Sequence, residues 1–357
     1  MKKTFLYIFL LFALKVNAQD ASYTKVDTVW SIHTKGYVTM MPYVDDEITV
    51  VGCDQGNLYC VNSHTGEKLW EYKSAVDEGP AKNGIFHTIV SDKNYLYMNN
   101  SGTVVLAIDR KTGQEVWRYY EARFDDDIFT RIVQTEKTII LNTLVPSVLC
   151  IDKQSGKKVW EYNEFTRKAG PAAIVSDNKD NIYFTSPDSV LHCINATTGA
   201  KNWEIKTGSS TSPFGPCLLE DRILVNRHRN KRDTISSIEC YSLKTQKLLW
   251  KKTEKPSLIF GHGKQFYSFS DGIRCWDVNG KEVWRIEGNF RWYTAPLFKD
   301  GKIYYHNRFG ATIWVIDEAT GHIVKLYPVD GKTYTTPVVT DKYIYFAQGH
   351  NYRCMRK

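Results

Sequence analysis

A frame that ends in tryptophan returns along this chain at intervals of 34 to 47 residues, and that period limits the possible folds more than any other feature. Its fullest copy reads Ala107-Ile-Asp109-Arg-Lys-Thr112-Gly113-Gln-Glu-Val-Trp117. Near copies end at Trp70, Trp160, Trp203 and Trp250, and a copy one residue shorter runs from Cys275 through Asn279-Gly280 to Trp284. A degenerate copy from Val315 through Thr320-Gly321 has Lys325 in place of the tryptophan, and Trp30 stands alone near the start. Self-similarity at this period marks a repeat architecture, and blades of a β-propeller have this length.

The content of each period agrees. Around Trp160, Arg131-Ile-Val, Thr138-Ile-Ile-Leu, Val148-Leu-Cys-Ile and Lys158-Val-Trp-Glu-Tyr are four short apolar or alternating runs separated by turn residues. No comparable stretch has a helical period, which disfavours helical solenoids. Within the frame, Asp or Asn hydrogen-bonds backbone groups two residues on, and the glycine accepts the positive φ of a tight hairpin. Trp30, Trp70, Trp117, Trp160, Trp203, Trp250 and Trp284 are expected on outermost strands, covering the gap to the adjoining blade. Each ring buries up to roughly 150–250 Å², worth at most on the order of 4–6 kcal/mol.

Ala-x-Asp-x-x-Thr-Gly-x-x-x-Trp, matched at every fixed position by Ala107 to Trp117, resembles the docking motif of the pyrroloquinoline-quinone-like (PQQ-like) β-propeller repeat family, and the resemblance covers nearly all of residues 19–357. It implies an all-β, eight-bladed propeller of four-stranded antiparallel blades. The segment around Trp30 would complete a last blade begun by Pro337-Val-Val, Tyr343-Ile-Tyr-Phe and Tyr352-Arg-Cys-Met. The family holds quinone-dependent dehydrogenases, many of which clamp the quinone beneath a disulfide between adjacent cysteines. It also holds non-catalytic members similar to the propeller lipoprotein of the outer-membrane β-barrel assembly machine. This chain has no Cys-Cys pair, and its blades are too short for the insertions that usually build a quinone pocket. The expectation is a binding or scaffolding propeller with no cofactor and no metal. A quinone-dependent enzyme and a carbohydrate-binding propeller are the alternatives.

The eight cysteines do not read as a disulfide framework. Cys60, Cys150, Cys193 and Cys240 fall ten residues before their anchors, Cys275 falls nine before its own, and Cys354 ends the matching run of the last blade. Ala107 and Val315 hold the same slot elsewhere, so the position is a small apolar one. Equivalent sites in neighbouring blades lie too far apart to bridge. Cys53 and Cys217 are out of register, and mostly free thiols are expected.

Lys2 and Lys3, an apolar run from Phe5 to Leu14 and the small-residue end Val16-Asn17-Ala18 read as a signal peptide over residues 1–18. The run is too short to span a membrane, and Gln19 stands where a lipoprotein carries its lipidated cysteine. The mature chain is expected to be lipid-free, periplasmic or secreted, and monomeric. Loss of Lys2, Lys3 and Lys15 lowers the formal charge from +8 to +5, too mild an excess to argue for nucleic acid.

The loops joining strands B and C, and D to the next A, share one face of a propeller, and the chain departs most from its repeat there. They carry Arg227-His-Arg229-Asn-Lys-Arg232, Asp125-Asp126-Asp127 and Phe290-Arg291-Trp292-Tyr293. His87, His262, His306 and His350 lie near the ends of inner strands. The candidate partner-binding residues are His87, Arg131, Arg227, Arg229, Arg291, Trp292 and Tyr293, facing an acidic or extended polar partner, because a loop tryptophan beside arginine and tyrosine has the composition of a contact hot spot. Intact-mass analysis of exported protein should place the N-terminus at Gln19; retention of residues 1–18 would remove the signal-peptide assignment.

Overall fold

The structure, a computed structural model, describes residues 22–38, 40–74, 86–100, 104–120, 132–142, 147–165, 173–207, 215–227, 236–254, 258–288, 295–307, 311–329 and 335–357; the side chains of Phe86, His87 and Asn100 fall outside that description. The described strands form eight antiparallel blades, which we number by their anchors, Trp70 in blade one to Trp30 in blade eight, and letter A to D from the centre outward. Blade three is representative, with strands Ile132–Gln134, Thr138–Asn142, Val148–Asp152 and Lys158–Tyr162. Strands B and C are packed on both sides by neighbouring blades, so they read as continuous apolar runs. Strand D is exposed at its start and, in blades one, two, four and five, alternates covered and exposed residues from the anchor onward.

The ring closes between the two ends of the chain. In blade eight, Val338–Val339, Tyr343–Gln348 and Asn351–Arg356 are completed by Thr28–His33, which runs antiparallel with Trp30 opposite Cys354 and His33 opposite Asn351. One strand was not foreseen. Ser22–Tyr23 adds to blade seven as a fifth strand, parallel to Ile323–Pro328, with Ser22 opposite Lys325 and Tyr23 opposite Leu326. Two residues are too few to carry an alternation signal, so only the fold reveals them.

The frame acquires a three-dimensional meaning from the strand register. Each residue of the cysteine slot lies directly across from its anchor: Cys60 from Trp70, Ala107 from Trp117, Cys150 from Trp160, Cys193 from Trp203, Cys240 from Trp250, Cys275 from Trp284, Cys354 from Trp30 and Val315 from Lys325. Directly opposed side chains stand about 5 Å apart on one face of the sheet. An indole on strand D therefore demands a small partner on strand C, which explains why Cys or Ala stands opposite every tryptophan, whereas the larger Val315 faces Lys325.

The indoles reach forward to the next blade. Trp30 donates from Nε1 to the carbonyl of Ser63 at 3.0 Å, Trp70 to Arg110 at 3.0 Å, Trp117 to Lys153 at 2.8 Å, Trp160 to Ala196 at 3.3 Å, Trp250 to Val278 at 3.0 Å and Trp284 to Glu318 at 3.0 Å. Each acceptor follows the Asp or Asn that opens a C–D turn, and the ring lies flat on the glycine of that turn. A Cβ built on Gly113 would stand 2.6 Å from Trp70, and one on Gly156 2.6 Å from Trp117. Glycine is thus required twice over, by its φ of +73° at Gly113 and by the ring against its Cα.

All eight cysteines are buried and free. Burial raises the thiols of Cys150, Cys193 and Cys240 to about 11 and those of Cys60, Cys275 and Cys354 to about 12. Two outcomes follow. In denaturant unfolding, Gly113→Ala should cost roughly 2–4 kcal/mol, strain and overpacking together. Gly301→Ala, whose φ is +66° but whose Cβ meets nothing within 4 Å, should cost only about 1 kcal/mol; equal losses would refute the docking account. At pH 8 the folded protein should react slowly with thiol reagents and the unfolded protein at every cysteine, because the thiolate is the nucleophile and these thiols stay protonated.

Candidate partner-binding face

A meandering blade sends its B–C hairpins and D–A connections to one face of the ring and its A–B and C–D turns to the other. The second face is occupied by docking: Asp109 Oδ1 accepts from the backbone of Lys111 at 3.0 Å and of Thr112 at 2.8 Å, and the same turn receives Trp70. These hydrogen bonds hold the Asp109 carboxyl below the usual carboxylate range. The first face is the one that sequence reasoning marked for a partner.

Of the residues marked there, Arg131, Arg229, Arg291, Trp292 and Tyr293 lie outside the described residues, as do Asp125, Asp126 and Asp127. His87 is placed by its backbone in strand Phe86–Ser91 of blade two. Arg227 needs correction. It is the last residue of strand Arg222–Arg227, not a charge in the hairpin, and its side chain is only 8% exposed. Its Nη1 lies 2.5 Å from Glu239 Oε1, Tyr241 donates to Glu239 Oε2 at 2.6 Å, and Lys251 Nζ stands 3.1 Å from Glu239 Oε1. Burial and the adjoining carboxylate push the Tyr241 phenol well above its usual range. Strand alternation puts Arg227 on the face that carries Glu239, and the carboxylate offsets the cost of burying the guanidinium.

The four histidines near inner-strand ends separate. His262 ends strand A of blade six beside the A–B turn, on the docking face, where it stacks on Phe298 at 4.7 Å and its Nδ1 lies 2.5 Å from Glu318. His306 is buried in strand B of blade seven, and burial lowers its pKa to about 4. His350 sits in the B–C hairpin of blade eight, stacked on His33 at 6.0 Å and against Tyr37 at 4.3 Å, while its carbonyl accepts from the backbone of Thr34 at 2.7 Å. Tyr37, 43% exposed, also donates from its backbone nitrogen to Asp54 Oδ1 at 2.9 Å. This group at the closing seam lies on the marked face. Its members come from opposite ends of the chain, so no local pattern announced it.

A buried constellation in blade four was also missed. His192 lies with Nε2 2.9 Å from Ser186 Oγ and Nδ1 3.2 Å from the Tyr162 hydroxyl, packed against Phe184 and Phe165. A serine beside an imidazole suggests a nucleophile with its base, but the arrangement is wrong for that chemistry. Asp188 contacts the Ser186 hydroxyl rather than the imidazole it would have to orient, and Ser186 is fully buried. Burial lowers His192 to about 4, leaving a weak base at neutral pH. The group is a satisfied polar plug between blades three and four. Among the described residues, no cluster of three or more His, Cys, Asp or Glu is placed to hold a metal ion.

Comparison with known proteins agrees with this architecture. No curated protein matches the sequence significantly. BamB from Moraxella catarrhalis superposes with a TM-score of 0.71 at 14% identity, covering 93% of this chain and all of that one. The computationally designed Ika8 protein gives 0.74 at 13% identity over 93% of this chain and all of its own. The quinohemoprotein alcohol dehydrogenase of Comamonas testosteroni gives 0.69 at 12% identity, over 93% of this chain and 76% of the enzyme. At such identities these likenesses establish the fold alone. The family model described as outer membrane protein assembly factor BamB matches residues 18–204 and 145–260, and together the two matches span more than half of the sequence. The chain therefore belongs to this PQQ-like family of propellers.

Proposed function

We propose that the protein is an exported, non-catalytic propeller that binds or scaffolds other proteins in the cell envelope, works as a monomer after loss of residues 1–18, and takes its partner on the face of B–C and D–A connections. The family match carries this reading, because that model is described by an assembly role in the outer membrane. The physical design supports it. The C–D turns are engaged in holding blades together, whereas the loops bearing Arg229, Arg291, Trp292 and Tyr293 depart from the repeat and concentrate charge and aromatic rings. The exposed ring of Tyr37 at the closing seam extends the same face. An acidic or extended polar segment suits arginine forks beside aromatic rings.

The protein should capture envelope proteins from an exported-protein extract, with β-barrel proteins or their assembly components enriched by mass spectrometry. Arg229→Glu and Trp292→Ala should each reduce capture several-fold without lowering the melting temperature, and unchanged capture in both would reject the face. Arg227→Glu should behave differently, because it sets a second buried carboxylate beside Glu239 and should cost about 3–5 kcal/mol of stability. Calorimetry with pyrroloquinoline quinone and calcium should show no uptake; micromolar binding would overturn the non-catalytic reading.

A further inference from the structure

The outer strands of a propeller are open sheet edges, and most of the blades here guard theirs in the same way. In blades one, two, three, four and six, an ion pair spans the anchor: Lys68–Glu71 at 3.4 Å, Glu115–Arg118 at 2.8 Å, Lys158–Glu161 at 2.8 Å, Lys201–Glu204 at 3.3 Å and Glu282–Arg285 at 3.2 Å. Such exposed pairs add little stability. On an edge they deter another strand, which would have to desolvate both charges to pair there.

Three blades lack the pair. In blade seven the equivalent positions are Ile323 and Leu326, and there the chain's own Ser22–Tyr23 has added as a fifth strand, Thr24 donating from its backbone to the Leu326 carbonyl at 2.9 Å. In blade eight they are Thr28 and Ser31, both polar, with an Asp27–Arg356 pair at the start of the strand. In blade five they are Leu248 and Lys251. Leu248 and the neighbouring bulge residue Leu249 are 50% and 47% exposed, and among the described residues nothing adds to strand Leu248–Thr253.

We propose that the edge of blade five is a second docking site, separate from the loop face, and that it receives an extended acidic segment of a partner protein as a fifth strand. Blade seven shows the geometry within the same molecule: the added strand pairs just past the bulge, at Lys325 and Leu326, which correspond to Trp250 and Lys251 in blade five. Backbone groups of the edge supply the pairing, and Leu248 and Leu249 offer apolar contact. The charge selects the partner. Lys251, 45% exposed, shares the single Glu239 carboxylate with Arg227, and Lys252 stands over the Trp276 ring at 4.0 Å and donates to the Gly280 carbonyl at 3.0 Å, so the edge keeps an excess of positive charge. A second copy pairing antiparallel about a twofold axis would bring both lysines of each copy together and be repelled, whereas acidic side chains would be drawn in.

The probe is a capped, fluorescently labelled peptide alternating valine and glutamate, read by anisotropy and by hydrogen exchange. It should bind and protect the amides of residues 249–253. Leu248→Glu, which places a carboxylate where other blades carry one end of the edge ion pair and so repels an acidic strand, should weaken binding by at least about tenfold with the melting temperature unchanged. Trp292→Ala should leave peptide binding intact, so failure of the loop face and failure of this edge are told apart. The proposal is overturned by protection elsewhere or nowhere, by equal binding of a valine–lysine peptide, by full binding to Leu248→Glu, or by self-association that Leu248→Glu abolishes.

Discussion

The forward reach of six indoles onto the next blade's C–D turn is the contact on which the ring depends. Its acceptor is a backbone carbonyl, so the residue supplying it is free to be serine, arginine, lysine, alanine, valine or glutamate, as at Ser63, Arg110, Lys153, Ala196, Val278 and Glu318. The space over the turn is what these six contacts share, and a glycine lies under each of the six rings; the turn of blade five has Gln246, at a φ of +57°, in that place. Side chains then make each interface individual. Arg110 ties blade two to blade one through Asp45 at 2.5 Å and Tyr43 at 3.1 Å, Lys153 stands over Tyr97 at 5.4 Å, and Glu318 receives Tyr267 at 3.0 Å.

The fold was legible because the docking contact is written at fixed spacing inside every blade. Asp109, Gly113 and Trp117 lie within nine residues, and a period of such frames announces blades even where one frame decays to Lys325. Closure was legible for a related reason: Trp30 is an anchor with no strand before it, and Cys354 a slot residue with no anchor after it. The candidate site was much less so. Arg227 reads as one more charge in a basic run, and only the pleat of its strand, which aims it at Glu239, distinguishes it from the arginines beyond. The seam of His33, Tyr37 and His350 needs the ring to be closed before it exists.

Closure removes the edge at the centre of the problem, since no blade is left without a neighbour, but it leaves strand D of every blade except the seventh facing solvent. The bulge found beside the anchor position is part of the answer. It stands opposite the slot in all eight blades and leaves Val29, Leu69, Val116, Val159, Asn202, Leu249, Val283 and Val324 as extra, solvent-facing residues that interrupt the ladder. Bulges and charges are two independent devices for the same end. Blade seven keeps its bulge and still accepts Ser22–Tyr23, so the bulge alone does not close an edge; the charge pair is the missing element there.

This division of labour separates what must stay constant from what is free to specialise. The face of A–B and C–D turns is committed to acceptors, glycines and capping carboxylates, and a change there opens an interface between blades. The opposite face carries none of these indole contacts, so loops of any length or charge are compatible with the same ring. The Arg227–Glu239 pair sits at the root of blade five's B–C hairpin, at the boundary between these two regimes. A buried ion pair is a weak source of stability, because both charges give up water to form it. It fixes direction, however: with Tyr241 and Lys251 converging on the same carboxylate, the strand ends from which that hairpin departs are held in one orientation. A propeller that presents a loop to a partner needs that stiffness at the root of the loop.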